Sequence, residues 1–221
     1  MSGQINRINI KMAISSLDAS NTVIKFAGTV PPVLPEVASS LASIGLLAPG
    51  IESLLPHSGT MVLLDRLIAA DEERLCAQVV IRPDSLFMGP EGVGSWIGIE
   101  YMAQSIAAFA GYKARLRGES AKVGFLLGTR RYDVSCALFP PGAVLWIMVK
   151  RVMQADNGLG SFECAIYEAT TSADRNNGPI AETVPFDAID HTLGNAKALV
   201  RATITVFQPH DVTGFLEGKV E

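Results

Sequence analysis

The sequence predicts an α+β fold: an antiparallel sheet wrapped around one long central helix. Three observations predict it. Val93–Tyr112 is a helix-length stretch whose single charged residue is Glu100. Two β-type runs precede it and four follow it, each rich in Val, Ile, Leu and aromatic residues. Pro, Gly and Asn clusters separate the runs. Strand, strand, helix and then four strands is an α+β order, and a sheet curled around the lone helix satisfies it.

Each element has its own signal. Pro31–Pro35 and Pro49-Gly50 punctuate the start of the chain, with a short apolar helix expected over 36–47 between them. Met61–Ile68 and Leu75–Ile81 flank the charged turn Asp71-Glu72-Glu73 and read as a hairpin. Pro83–Gly94 is a loop. Trp96, Ile97, Ile99, Tyr101, Met102, Ile106 and Phe109 surround the helix on nearly every side, which marks it as a central buried helix or a membrane span. Glu100 decides against the span, because a carboxylate at mid-bilayer costs roughly 2.5–3.5 kcal/mol on insertion scales. Val123–Leu127, Val144–Val152, Gly160–Ala169 and Ala198–Phe207 follow as strands. Pro140-Pro141-Gly142, Asp156-Asn157-Gly158 and a polar loop over 171–195 break them. The expected organisation is an N-terminal extension over 1–50, one domain over 51–210 and a C-terminal tail over 211–221.

Composition narrows the function. With 221 residues, 48% hydrophobic and 18% charged, the chain can bury an ordinary core. A net charge of -4 and a pI near 5.4 lack the basic footprint of a nucleic-acid binder. Cys76, Cys136 and Cys164 are widely spaced in apolar runs, so they read as reduced, buried thiols rather than disulfides or ligands. With three histidines, His57, His191 and His210, a His-rich metal cluster is not expected. Nor does the N-terminus show the apolar core of a secretory signal, and a cytoplasmic protein is expected.

Three segments carry a likeness. Glu52–Asp65 reads ESLLPHSGTMVLLD. Ile99-Glu100-Tyr101-Met102-Ala103-Gln104 opens the helix. Phe125-Leu126-Leu127-Gly128, Arg131-Tyr132 and Pro140-Pro141-Gly142 follow in that order. In sequence and spacing these resemble the hotdog-fold 3-hydroxyacyl acyl-carrier-protein dehydratases over about 51–150, with a weaker echo in 159–207. The Leu-Pro-His opening, the Phe-Gln-Pro at 207–209 and the altered loop before the helix resemble the branch associated with aryl-polyene pigment biosynthesis. The resemblance implies a hotdog fold, a catalytic Glu100 and an acyl thioester substrate. It also carries one departure. The family places a histidine fourteen residues before the helix Glu; here that position is Leu86, in the loop Ser-Leu-Phe-Met-Gly-Pro.

Dehydrating a 3-hydroxyacyl thioester requires a base for the α-proton, an acid for the departing hydroxyl and donors for the thioester oxygen. Glu100, the lone ionisable group of an apolar helix, suits the acid, since desolvation favours its protonated form. Gln104, one turn on, is placed to orient it. Gly92 and Gly94 precede the helix, where unsatisfied N–H groups and absent side chains would let a thioester approach the main chain. His57, after Pro56 at the entry to the first strand, is the imidazole left to act as base. His191 and His210 read as surface groups, and Asp65 and Arg66 as strand-end surface groups. Neither metal nor cofactor is expected. Arg115, Arg117, Lys122, Arg130 and Arg131 cluster in sequence around the helix end and the next strand, and the resemblance implies that they meet an acidic acyl carrier protein or the phosphate of its phosphopantetheine; read alone they are solvated surface charges. An exposed sheet edge is expected to pair with a second subunit, as a homodimer or a hotdog heterodimer. Two other functions fit the same residues. One is an acyl thioesterase; the other is a non-catalytic subunit partnering an active dehydratase.

Overall fold

The computed structural model of the protein describes residues 50–169 and 184–217. The extension expected over 1–50 (Gly50 apart) and the helix expected over 36–47 lie outside these residues. The elements in chain order are β1 (Arg66–Ala70), β2 (Arg74–Val80), β3 (Val93–Gly94), α1 (Gly98–Leu116), β4 (Phe125–Val134), β5 (Leu138–Phe139), β6 (Val144–Gln154), β7 (Leu159–Glu168), α2 (Phe186–Leu193), β8 (Val200–Phe207) and α3 (Val212–Leu216). Six strands form one antiparallel sheet in the order β1-β2-β6-β7-β8-β4, and β3 and β5 form a small ribbon.

The β1–β2 hairpin is set by Asp71. Its carboxylate accepts the backbone N–H groups of Glu73 (2.9 Å) and Arg74 (2.7 Å), and the Arg74 guanidinium returns to it at 2.9 Å. One face of the sheet packs on α1. Met102, Ile106 and Phe109 share a core with Leu145, Ile147 and Ile166, and Phe109 meets Phe162 edge-on at 5.9 Å. The opposite face carries a second, smaller core. There Ile68, Cys76, Val144 and Trp146 are covered by Phe186 and Ile189 of α2. β2 is therefore buried on both sides, which is why its interior does not alternate polar and apolar residues, Gln78 alone interrupting the apolar run from Leu75 to Val80.

Four expectations are corrected. The polar loop over 171–195 contains α2, which buries only Phe186 and Ile189 and so leaves a weak periodic signal; His191 stands on this helix. The central helix begins at Gly98, because Val93 and Gly94 are claimed by β5 and residues 95–97 form a single 3-10 turn. Asp65 is not a free surface group: it accepts the Val80 N–H and pairs with Arg82 at 2.6 Å, closing the end of the hairpin. The tail contains α3, whose Phe215 packs on Phe125 and Phe207 at 5.1 and 5.3 Å. No described helix is long and apolar enough to cross a membrane.

Candidate active site

A short backbone lattice fixes where α1 begins. The Ser95 N–H and hydroxyl both donate to the Ala137 carbonyl at 3.1 Å, and the Tyr132 hydroxyl donates to the Ser95 carbonyl at 2.6 Å. Glu100 therefore stands in the first turn of a helix anchored to β4 and to the strand connection after it. It is half-buried rather than enclosed.

Gln104 is wholly buried and uses its amide in three directions. Its Oε1 accepts the Leu63 N–H at 2.9 Å, and its Nε2 donates to the Met61 carbonyl at 2.8 Å and to Glu100 Oε1 at 3.0 Å. The two backbone partners fix the amide orientation, since Leu63 offers only a donor and Met61 only an acceptor. Glu100 Oε1 must then be an acceptor. The expected orienting role of Gln104 thus has a definite geometry, and the same side chain ties the Met61–Leu63 segment to the helix.

Glu100 and His57 line one cavity of about 280 Å³ between α1 and the β4, β7 and β8 strands. His57 Nδ1 is buried without a hydrogen-bond partner among the described residues, an unusual state for a polar atom and one that a ligand or ordered water would relieve. The segment bearing His57 runs antiparallel to α1. Leu54 packs its carbonyl against Gly111 at one end, and Met61 accepts from Gln104 at the other. His57 therefore lies between the levels of Gln104 and Gly111, roughly 6–16 Å further along the axis than Glu100 at 1.5 Å per residue.

Gly92 and Gly94 are buried but do not line this cavity. A Cβ at Gly92 would collide with the Phe139 carbonyl, and one at Gly94 with the Trp96 ring. The room their missing side chains leave is filled by the chain itself, not kept open for a thioester. Leu86, in the position of the expected loop histidine, lines a separate cavity with Tyr101 and Asp65. Of the basic run, Lys122 reaches the cavity shared by Glu100 and His57, while Arg117 and Arg131 pair with Glu119 and Asp133. His210 is exposed with Nε2 on the Asp156 carbonyl at 3.0 Å. Sequence reasoning did not find Phe125, Phe162 and Phe207 as cavity walls, because an inward aromatic on a strand looks the same whether it fills a core or faces a ligand. Among the described residues, no group of His, Cys, Asp and Glu is arranged to hold a metal ion.

A six-stranded antiparallel sheet around one helix, with a helix-borne carboxylate at a cavity between them, defines a hotdog-fold protein. A family model described as ApeP dehydratase matches residues 49–217, and the chain belongs to this ApeP-like family. Among solved structures, the dehydratase heterocomplex ApeI:P from Xenorhabdus doucetiae is similar at 25% identity and a TM-score of 0.61, over 79% of this chain and 99% of that one. Zebra fish thioesterase superfamily member 2 is similar at 9% identity (TM-score 0.46, 72% and 92% of the two chains). The E. coli PaaI protein from the phenylacetic acid degradation operon is similar at 10% identity (TM-score 0.42, 64% and 81%). No curated protein sequence matches the chain.

Proposed function

We propose that the protein removes water from a 3-hydroxyacyl thioester carried on an acyl carrier protein, giving a trans-2-enoyl thioester, in the cytoplasm and as one half of a hotdog pair. The observation that carries this reading is the Gln104 clamp, which fixes one Glu100 oxygen as an acceptor and holds the carboxyl group at the edge of a cavity. In the reaction, His57 takes the C2 proton, and the C2–H electron pair becomes the C2=C3 bond. The C3–O bond breaks, and the oxygen leaves as water with the proton of Glu100 Oε2. Returning the proton from the imidazolium to the carboxylate restores the site. Neither metal nor nucleotide is required.

The partner reading rests on β4. Among the described residues it is a sheet edge bonded only to β8, and Leu126, Leu127 and Val134 on it are exposed. An unpaired edge bearing apolar side chains is suited to pairing with a second sheet. The heterocomplex of the similar dehydratase supports a hotdog heterodimer over a homodimer. Leu86 favours a second reading, in which this chain partners an active dehydratase and does no chemistry itself.

Incubating the protein with 3-hydroxyacyl and with saturated acyl thioesters separates these functions. Enoyl product from the first substrate is expected. Free thiol from the second would make the protein a thioesterase. Absence of both products, alone and with a hotdog partner, would leave the non-catalytic role.

A further inference from the structure

Strand β4 carries a bulge whose effect reaches the first turn of α1. Thr129 pairs with Ile204 and Tyr132 with Ala202, so β4 advances three residues while β8 advances two. Ile204 and Ala202 both belong to the core around α1. In an unbulged strand Arg131 would stand opposite Ala202 and Tyr132 would point outward, because successive side chains alternate. The extra residue instead turns Tyr132 inward, a re-aiming that bulges commonly serve. Thr129 closes the bulge: its hydroxyl lies 2.7 Å from the Arg131 carbonyl and 2.8 Å from the Thr203 carbonyl. Arg130 and Arg131 are left exposed.

The inward Tyr132 ends in a hydroxyl that donates to the Ser95 carbonyl at 2.6 Å. The Gly98 N–H donates to the same carbonyl, so both of its lone pairs are used where the 3-10 turn passes into α1. The hydroxyl lies close over Gly98, and a Cβ there would stand 2.6 Å from it. Burial pushes this hydroxyl up to about 12, so it remains a donor at neutral pH. Glu100 follows Gly98 by two residues. The carbonyl that Tyr132 holds therefore sets the height and rotation at which the Glu100 side chain leaves the helix, while Gln104 holds the carboxyl group at its tip. We infer that Tyr132 is a positioning residue for Glu100, aimed at the start of α1 by the β4 bulge. This rests on the dehydratase reading above.

Tyr132→Phe removes the hydroxyl and keeps the ring. The test is dehydration of a 3-hydroxyacyl carrier protein by the full chain, alone and with a hotdog partner, with melting temperature and amide exchange measured on the same variants. In Tyr132→Phe kcat should fall roughly 10-fold with KM within about twofold, because a misplaced acid slows the chemical step rather than binding. Amides over 98–101 should exchange faster while those of β6 do not. Gly98→Ala drives a Cβ against the hydroxyl and should lower both kcat and melting temperature; its other near neighbour is the movable end of the Ile166 side chain. Combining Gly98→Ala with Tyr132→Phe should recover the melting temperature but not kcat. Recovery of both together would overturn the inference, since the hydroxyl would then matter only to packing. Wild-type kcat in Tyr132→Phe would also overturn it and leave the dehydratase reading standing. Wild-type protein that converts no substrate, alone or with a partner, would end that reading and this inference with it.

Discussion

Glu100 and Gln104 act as a unit because each oxygen and nitrogen of the Gln104 amide has an assigned partner. Gln104→Leu removes the clamp, leaves the Leu63 N–H and Met61 carbonyl unpaired, and frees the Glu100 carboxyl to rotate. We expect kcat to fall 10-fold or more, with stability lowered by about 1–3 kcal/mol for the orphaned backbone groups. Denaturant unfolding and steady-state kinetics on the same sample read both effects. His57→Ala should abolish turnover if the imidazole is the base, with the fold intact because the ring is half-buried and its Nδ1 holds no structural bond. Retained turnover in that variant would move the base to another group. The cysteines give a third check. Cys76 and Cys164 are buried and Cys136 is not, and burial pushes the Cys164 thiol up to about 12. A native-state thiol titration near pH 8 should label Cys136 alone.

At the level of elements, β4 is the exposed edge. Leu127→Lys places a charge on its most exposed leucine and should dissociate a paired subunit without unfolding the chain. Light scattering at micromolar concentration reads the change; an unaltered mass would place the interface elsewhere. Strands β6, β7 and β8 were legible in sequence because they alternate or run apolar over long spans, and the helix because a long stretch with one carboxylate has few other uses. The run expected as a strand over Met61–Ile68 is strand only from Arg66, its start being a 3-10 turn, and the one expected over Val123–Leu127 is β4, Phe125–Val134. α2 and α3 were not legible. Each is short and buries only one or two residues, so neither repeats long enough to show a helical period. The helix start was misplaced because the pairing of Val93 with Phe139, distant in sequence, competes with helix propensity. Glu100 and Gln104 stood out as polar groups on an apolar helix. The roles expected of Gly92 and Gly94 could not be read from sequence, since a glycine that admits a ligand and one that admits Phe139 look alike.

Among the described residues two cores share one sheet, and several groups in or against them titrate late. Burial holds the Tyr101 and Tyr132 hydroxyls up to about 12, and the Cys164 thiol as high. A group whose folded pKa is raised favours the folded state below its unfolded pKa, and that contribution is lost as pH rises towards the folded value. For Cys164 the window opens near pH 9 and for the tyrosines near pH 10. The melting temperature should therefore decline progressively from pH 9 to pH 12; a flat profile there would contradict this account of the core. Function too belongs to the molecule as a whole, since sheet, helix and the His57 segment each supply one wall of the cavity. The most direct measurement is mass spectrometry of a 3-hydroxyacyl carrier protein incubated with wild-type protein and with Glu100→Gln, each also in the presence of its hotdog partner. Wild-type protein should convert the carrier to the species lighter by one water. Glu100→Gln, equally folded, should do so roughly 10²–10⁴-fold more slowly. Equal rates for the two proteins would contradict the assignment of Glu100 as the acid.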